Sequence, residues 1–177
     1  MRGSELGMNE VLARWNELQM ADAAKEILSC CGARAWAEGM ISKRPFEDEA
    51  EMLITSDEVW RGLRSSDWLE AFKGHPKIGE SRAVAPSGER SAAWSEQEQK
   101  SVAGAQERVK NALAEGNQAY EEKFGYIFIV CATGRSAPEI LEILQRRLQN
   151  GKEIELREAA EEQRQITQLR LKKWLGI

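Results

Sequence analysis

Apolar side chains recur at helical spacing along almost the whole chain. From Met8 to Cys31, the residues Val11, Leu12, Trp15 and Leu18, then Ala23, Ala24, Ile27, Leu28 and Cys31, follow a 3.6-residue repeat. A break is predicted near Asp22, which can cap a second segment. The pattern predicts a short helix over 33–40 and a longer one over 48–63, with Met52, Val59, Trp60 and Leu63 on one face. A brief helix follows over 66–72, capped by Ser66. The stretch from Gly74 to Trp94 has no such period. Beyond it, Ser95 opens a polar helix to about Ala114, and two more helices are predicted over 137–148 and 152–174. The exception is Tyr126 to Ala132, whose β-branched and aromatic content suits a buried strand. No second strand is predicted to pair with it, so a buried helix turn or an extended segment threaded between helices is expected. The fold class that follows is all-α, a single-domain helical bundle.

A length of 177 residues suits one well-buried core rather than two, and the domain is expected to span 8–177. Residues 1–7 precede a second methionine and lack the apolar stretch of a signal peptide, so they are expected to be a vector-derived remnant outside the fold. With 25 basic against 29 acidic residues, the chain carries no electrostatic footprint for nucleic acid. The longest apolar run has seven residues, whereas a membrane span needs roughly 18. Three cysteines, two of them adjacent, make no disulfide framework, which fits the reducing cytoplasm. One histidine and no Cys-x-x-C pair exclude the common zinc spacings, and no glycine-rich phosphate loop is present, so neither a metal nor a nucleotide cofactor is expected.

Two places carry candidate chemistry. His75, the only imidazole, lies in Gly74-His75-Pro76-Lys77-Ile78-Gly79, directly after a predicted helix. Pro76 forces His75 out of the α region, so the ring projects from a rigid turn. That placement suits proton transfer near neutral pH, although a surface turn with no role reads equally well from the residues. Ser95-Glu96-Gln97-Glu98-Gln99 has the spacing of a capping box, in which Glu98 reaches back to the Ser95 amide. A carboxylate there is also favoured in its ionised form by the helix dipole and can serve as an acceptor or base.

Read in order, Cys30-Cys31-Gly32, Trp36-Ala37, Arg44-Pro45-Phe46, Asp67-Trp68-Leu69-Glu70-Ala71-Phe72, His75-Pro76-x-Ile78-Gly79, Ser95-x-x-Glu98-Gln99, Asn117-x-x-Tyr120-x-x-Lys123-Phe124-Gly125 and Phe128-Ile129 closely resemble the 2-oxo-4-hydroxy-4-carboxy-5-ureidoimidazoline (OHCU) decarboxylases of urate breakdown. The likeness runs from about Ala23 to the C-terminus. It implies an all-helical, cytoplasmic homodimer that takes a small-molecule substrate, needs no cofactor, and yields (S)-allantoin and carbon dioxide. It places the family's catalytic residues on His75, Glu98 and Arg170. Its substrate-binding positions fall on Pro76, Ser95, Glu96, Gln97 and Gln99, and on the backbone of Phe128, Ile129, Val130, Cys131 and Ala132. The chain departs from the family's usual form between His75 and Ser95, where Ala85-Pro86-Ser87-Gly88 stands. Arg164 and Arg135 compete with Arg170 for the role of functional arginine. An inactive interaction module of the same fold, or an isomerase or hydrolase acting earlier in urate breakdown, are the competing functions. The remaining features are read as structural: the six tryptophans and Cys30 and Cys31 as packing residues, and Glu153 to Arg164 as a solvated helix face.

Overall fold

The computed structural model describes residues 9–78 and 107–177, so the cap at Ser95 and the loop before it lie outside the described residues. Eight helices and no strand are present among the described residues: α1 (Glu10–Glu17), α2 (Met20–Ile27), α3 (Arg34–Ser42), α4 (Glu49–Arg61), α5 (Ser65–Phe72), α6 (Glu107–Phe124), α7 (Ala137–Arg147) and α8 (Lys152–Leu175). The fold is all-α, as the periodicity predicts.

Three boundaries differ from expectation, each for a physical reason. Asp22 caps nothing: α1 ends at Glu17, and Asp22 sits in the first turn of α2. The break is imposed from outside the helix, because Arg44 Nη1 donates to the carbonyls of Trp15 at 2.7 Å and Leu18 at 2.9 Å. Asn16 and Phe46 also exchange two hydrogen bonds, of 2.9 and 3.0 Å. The Arg44 contacts satisfy carbonyls that a continuing helix would have used, and the Asn16 contacts fix Phe46 beside them. Ser66 is not a cap either, since α5 starts at Ser65 and the Arg64 amide donates to Asp67 Oδ2 at 3.1 Å. The third difference is α6, which runs past Ala114 to Phe124 with Gly116 inside it. A Cβ at Gly116 would lie 2.6 Å from the Leu144 side chain, so this glycine serves the close approach of α6 to α7. The helix ends instead at Gly125, whose φ of +83° is the left-handed conformation of a helix stop.

Side chains bury into two clusters. The larger gathers residues of α1 to α5 and α8 around Trp15, Trp36 and Trp60, and the smaller lies between α6 and α7 around Leu113, Tyr120 and Ile140. Phe128 to Ala132 runs between them. Ile129 and Cys131 enter the first cluster, whereas Phe128, Val130 and Ala132 enter the second. That alternation is the period of extended backbone, so of the two forms expected for this segment the threaded one is found.

An extended segment with no neighbouring strand must place its peptide groups elsewhere. Arg147 Nη1 donates to the Ile129 carbonyl at 2.7 Å, and the Cys131 amide donates to Glu162 Oε2 at 2.6 Å. Arg147 is itself wholly buried and pairs with the wholly buried Glu155, through Nε at 2.8 Å and Nη2 at 2.6 Å. The Tyr120 hydroxyl donates to the same Glu155 oxygen, and Asn150 Nδ2 to the other at 2.8 Å. The guanidinium also lies 4.7 Å from the Phe128 ring centroid, in cation–π range. The stretch from Glu153 to Arg164 is therefore a solvated face only in part: Glu153, Arg157 and Glu161 are exposed, whereas Glu155, Glu162 and Gln163 are buried. Charges at these positions answer buried donors that apolar residues could not.

Removing one partner of such a pair strands the other, at a cost of about 3–5 kcal/mol. Arg147→Met is expected to lose about that much in urea unfolding, and Arg146→Met, in an exposed pair with Glu158, less than about 1 kcal/mol. Equal losses in the two variants would show that the buried pair does not hold the segment.

Candidate active site

The end of α5 positions His75. The Gly74 amide donates to the Ala71 carbonyl and the His75 amide to the Phe72 carbonyl, both at 3.2 Å, and Pro76 then turns the chain away. The residues that follow are tied to α6: Asn117 Nδ2 donates to the Ile78 carbonyl at 3.0 Å, and Lys77 pairs with Glu121 at 2.9 Å. The three residues of the Asn117-x-x-Tyr120-x-x-Lys123 motif each tie α6 to a different part of the chain. Asn117 holds Ile78, Tyr120 joins Glu155, and Lys123 Nζ donates to the Leu148 carbonyl at 2.6 Å. A cleft of about 400 Å³ opens beside this turn, lined by Lys77, Ile78, Asn117 and Gln118 among others.

The imidazole faces α8. Its Nε2 lies 2.7 Å from Gln163 Oε1, and its Nδ1 lies 3.4 Å from Arg170 Nη2. Burial, and next the positive charge of Arg170, push its pKa down from 6.5 to about 3, against a smaller opposing effect of the Gln163 hydrogen bond. His75 is therefore a neutral imidazole at pH 7, able to accept a proton before it can give one. A surface turn with no contacts does not describe it.

Arg170 is buried beside it. Arg164 is engaged elsewhere, with Asp57 at 2.7 Å and Glu161 at 2.6 Å, and Arg135 pairs with Glu162 at 3.1 Å. Of the three arginines, Arg170 is the one that reaches His75. Phe128 to Ala132 are all buried, and Glu162, which binds the Cys131 amide, is the residue before Gln163. Pro76 is partly buried. Ser95, Glu96, Gln97, Glu98 and Gln99 lie outside the described residues.

Gln163 and Thr167 are absent from the sequence reading. Gln163 Nε2 donates to Thr167 Oγ1 at 3.2 Å, and the Thr167 hydroxyl donates to the Gln163 carbonyl at 3.0 Å. The Cys31 thiol behind them hydrogen-bonds Thr167 and is pushed up to about 11 by burial, so it is an inert packing group. A signal for these residues did exist. Gln163, Thr167 and Arg170 are spaced four and three apart, on one helix face together with the apolar Ala159 and Ile166. Polar side chains on the apolar stripe of a helix need partners in the core. Among the described residues no three His, Cys, Asp or Glu side chains group as metal ligands would, and no helix is long and apolar enough to cross a membrane.

Known proteins share this arrangement of helices. A uric acid degradation bifunctional protein of Arabidopsis thaliana is 35% identical over 145 residues, which are 81% of this chain and 44% of that protein. The 2-oxo-4-hydroxy-4-carboxy-5-ureidoimidazoline decarboxylase of Haloferax volcanii is 26% identical over 76% of this chain and 77% of its own length. A crystal structure of OHCU decarboxylase in the presence of (S)-allantoin superposes with a TM-score of 0.74 at 35% identity, covering 86% of this chain and 99% of that one. The chain spans less than half the length of the bifunctional relatives it matches. The sequence profile of OHCU decarboxylases matches residues 16–172, and on that match, with the shared fold, this chain belongs to the OHCU decarboxylase family.

Proposed function

We propose that this protein catalyses the cofactor-independent decarboxylation of 2-oxo-4-hydroxy-4-carboxy-5-ureidoimidazoline to (S)-allantoin and carbon dioxide in urate breakdown. The observation that carries the reading is the meeting of His75 and Arg170, 95 positions apart in the chain, at the positions that the family likeness marks as catalytic. The bond from C4 to the carboxylate breaks, carbon dioxide leaves, and the conjugated ring takes up the electron pair. The C4 hydroxyl becomes a carbonyl as its proton leaves, one proton is added to the neighbouring ring carbon on a single face, and a proton from solvent neutralises the ring nitrogen that took up the electron pair, so one proton is consumed overall. Nothing is oxidised or reduced overall, so the ring serves as its own electron sink.

A neutral His75 fits the first half of that exchange: it takes the hydroxyl proton and returns a proton to the ring. Arg170 pairs with a carboxylate or ureido oxygen through its planar fork. Glu98 holds the ureido or hydroxyl group against His75, and the Ser95 to Gln99 turn and Pro76 complete the walls. Amides of Phe128 to Ala132 hold ring oxygens, except that of Cys131, which already donates to Glu162. The reading includes a homodimer of single-domain chains, spanning 8–177, in the cytoplasm. The three cysteines, all buried and none of them in a disulfide, support a reducing compartment.

Three outcomes test this reading. His75→Asn should keep the fold while the allantoin formed in its presence loses enantiomeric excess, because uncatalysed decay takes over. Circular dichroism of the product reads this, and full excess at the parent rate would remove His75 from the mechanism. Glu98→Gln can still cap a helix, so a fall in kcat of roughly a hundredfold with little loss of stability would separate chemistry from capping. The pH dependence has a definite sign. With a folded pKa of about 3 against about 6.5 in the unfolded chain, the contribution of His75 to stability is fully present above pH 6.5 and is lost as the pH falls toward 3. In urea unfolding from pH 4 to 7, the stability of the parent relative to His75→Asn should therefore rise with pH, by at most about 1.4 kcal/mol per unit. A flat difference would mean that His75 is not held neutral.

A further inference from the structure

The two neighbours of His75 select one tautomer of its ring, and they do so independently. Arg170 has donors and no acceptor, so its Nη2, 3.4 Å from Nδ1, requires a lone pair on that nitrogen. The single proton of the neutral ring must then sit on Nε2. On the other side, an amide can offer either its oxygen or its nitrogen, and Thr167 decides which. The Thr167 hydroxyl spends its hydrogen on the Gln163 carbonyl at 3.0 Å, leaving Oγ1 to accept from Gln163 Nε2 at 3.2 Å. The Gln163 side chain therefore turns Oε1 toward His75, where at 2.7 Å it can only accept from Nε2–H. A flipped amide would face the ring with a donor, favour Nδ1–H, and set that hydrogen against Arg170.

We propose that Gln163, oriented by Thr167, is a positioning residue that fixes His75 as the Nε2–H tautomer and makes Nδ1 the atom that moves the reacting proton. The assignment of Nδ1 to the reaction rests on the decarboxylase reading, whereas the tautomer itself does not. Gln163 is wholly buried and faces away from solvent, which suits a support and not a substrate contact. Arg170 must release the Nδ1 lone pair when it turns to bind the substrate oxygen, and this brings the base and the anion clamp to one point.

His75 is the only histidine of the chain, so nitrogen-15 labelling gives a single imidazole spectrum. At pH 7 the parent should show a protonated, pyrrole-type Nε2 and a bare, pyridine-type Nδ1. A protonated Nδ1 would overturn the proposal. Gln163→Leu leaves the tautomer to the longer Arg170 contact alone, so it should admit some Nδ1–H form and lower kcat by roughly tenfold with KM within about threefold, since a misplaced proton harms the chemical step more than binding. A Leu variant that keeps the parent spectrum and kcat would also overturn it. Thr167→Val leaves Gln163 in place without its anchor and should reproduce part of both changes, whereas Thr167→Ser should restore both to near parent values. This pair carries the test if the Leu variant does not fold. Equal loss in Val and Ser, with an unmixed spectrum, would reduce Thr167 to packing. Full activity in His75→Asn would sink the decarboxylase role of His75 and leave the tautomer result standing, so the two failures are distinguishable.

Discussion

The segment from Tyr126 to Ala132 sets the central constraint on this fold: a strand-like run in the middle of a helical protein, with apolar side chains on both faces and, among the described residues, no strand to pair with. Its side chains make it worth burying, because they alternate into both clusters. Its peptide groups make burial costly, since each unpaired one forfeits its hydrogen bonds to water. The solution is to bring charged side chains in from helices. Arg147 of α7 takes the Ile129 carbonyl and Glu162 of α8 takes the Cys131 amide. Arg147 then needs its own counter-charge, which Glu155 supplies, and Glu155 in turn collects Tyr120 and Asn150. One extended segment therefore accounts for a chain of buried polar groups linking α6, α7 and α8.

The same helix that closes this network carries the site. Along α8, Glu155 and Glu162 serve the extended segment, while Gln163, Thr167 and Arg170 serve His75. The residues that hold the segment and those that surround His75 are thus neighbours on a single helix of 24 residues. A side chain held by a helix end on one side and by helix side chains on the other keeps few orientations of its own. The low pKa of the ring is a consequence of this packing: with Arg170 beside it and little water around it, the imidazole stays neutral across the physiological range.

The motifs behind the family likeness divide between scaffold and chemistry in a way their spacing conceals. Arg44 and Phe46 terminate α1, Asp67 caps α5, Glu70 accepts from the Arg34 amide at 3.2 Å, and Asn117 holds the turn after His75. All of these satisfy backbone groups where regular structure stops, and such positions tolerate few substitutes because the partner geometry is fixed. His75 stands among them marked by Pro76, and Arg170 by its place on the apolar stripe of α8.

Local patterns decided what local physics governs. Helical periodicity was enough for the all-α class and for the approximate extent of α3, α4, α7 and α8, and Pro76 alone dictated that His75 leave its helix. The β-branched run at 126–132 was legible as buried and strand-like, because side-chain shape and alternation belong to the residues themselves. What the sequence left open lay with partners far along the chain. The end of α1 depended on Arg44, the passage of α6 through Gly116 on Leu144, and the burial of Glu155 on Arg147 and Tyr120. Which arginine met His75 was likewise a matter of helix rotation: Arg164 and Arg170 are six residues apart, which turns them to different faces of α8. A hydrogen bond between residues 88 or 95 positions apart leaves no trace in the periodicity of either segment, so only the packed structure could show that Gln163 and Arg170 grip the ring from its two nitrogens.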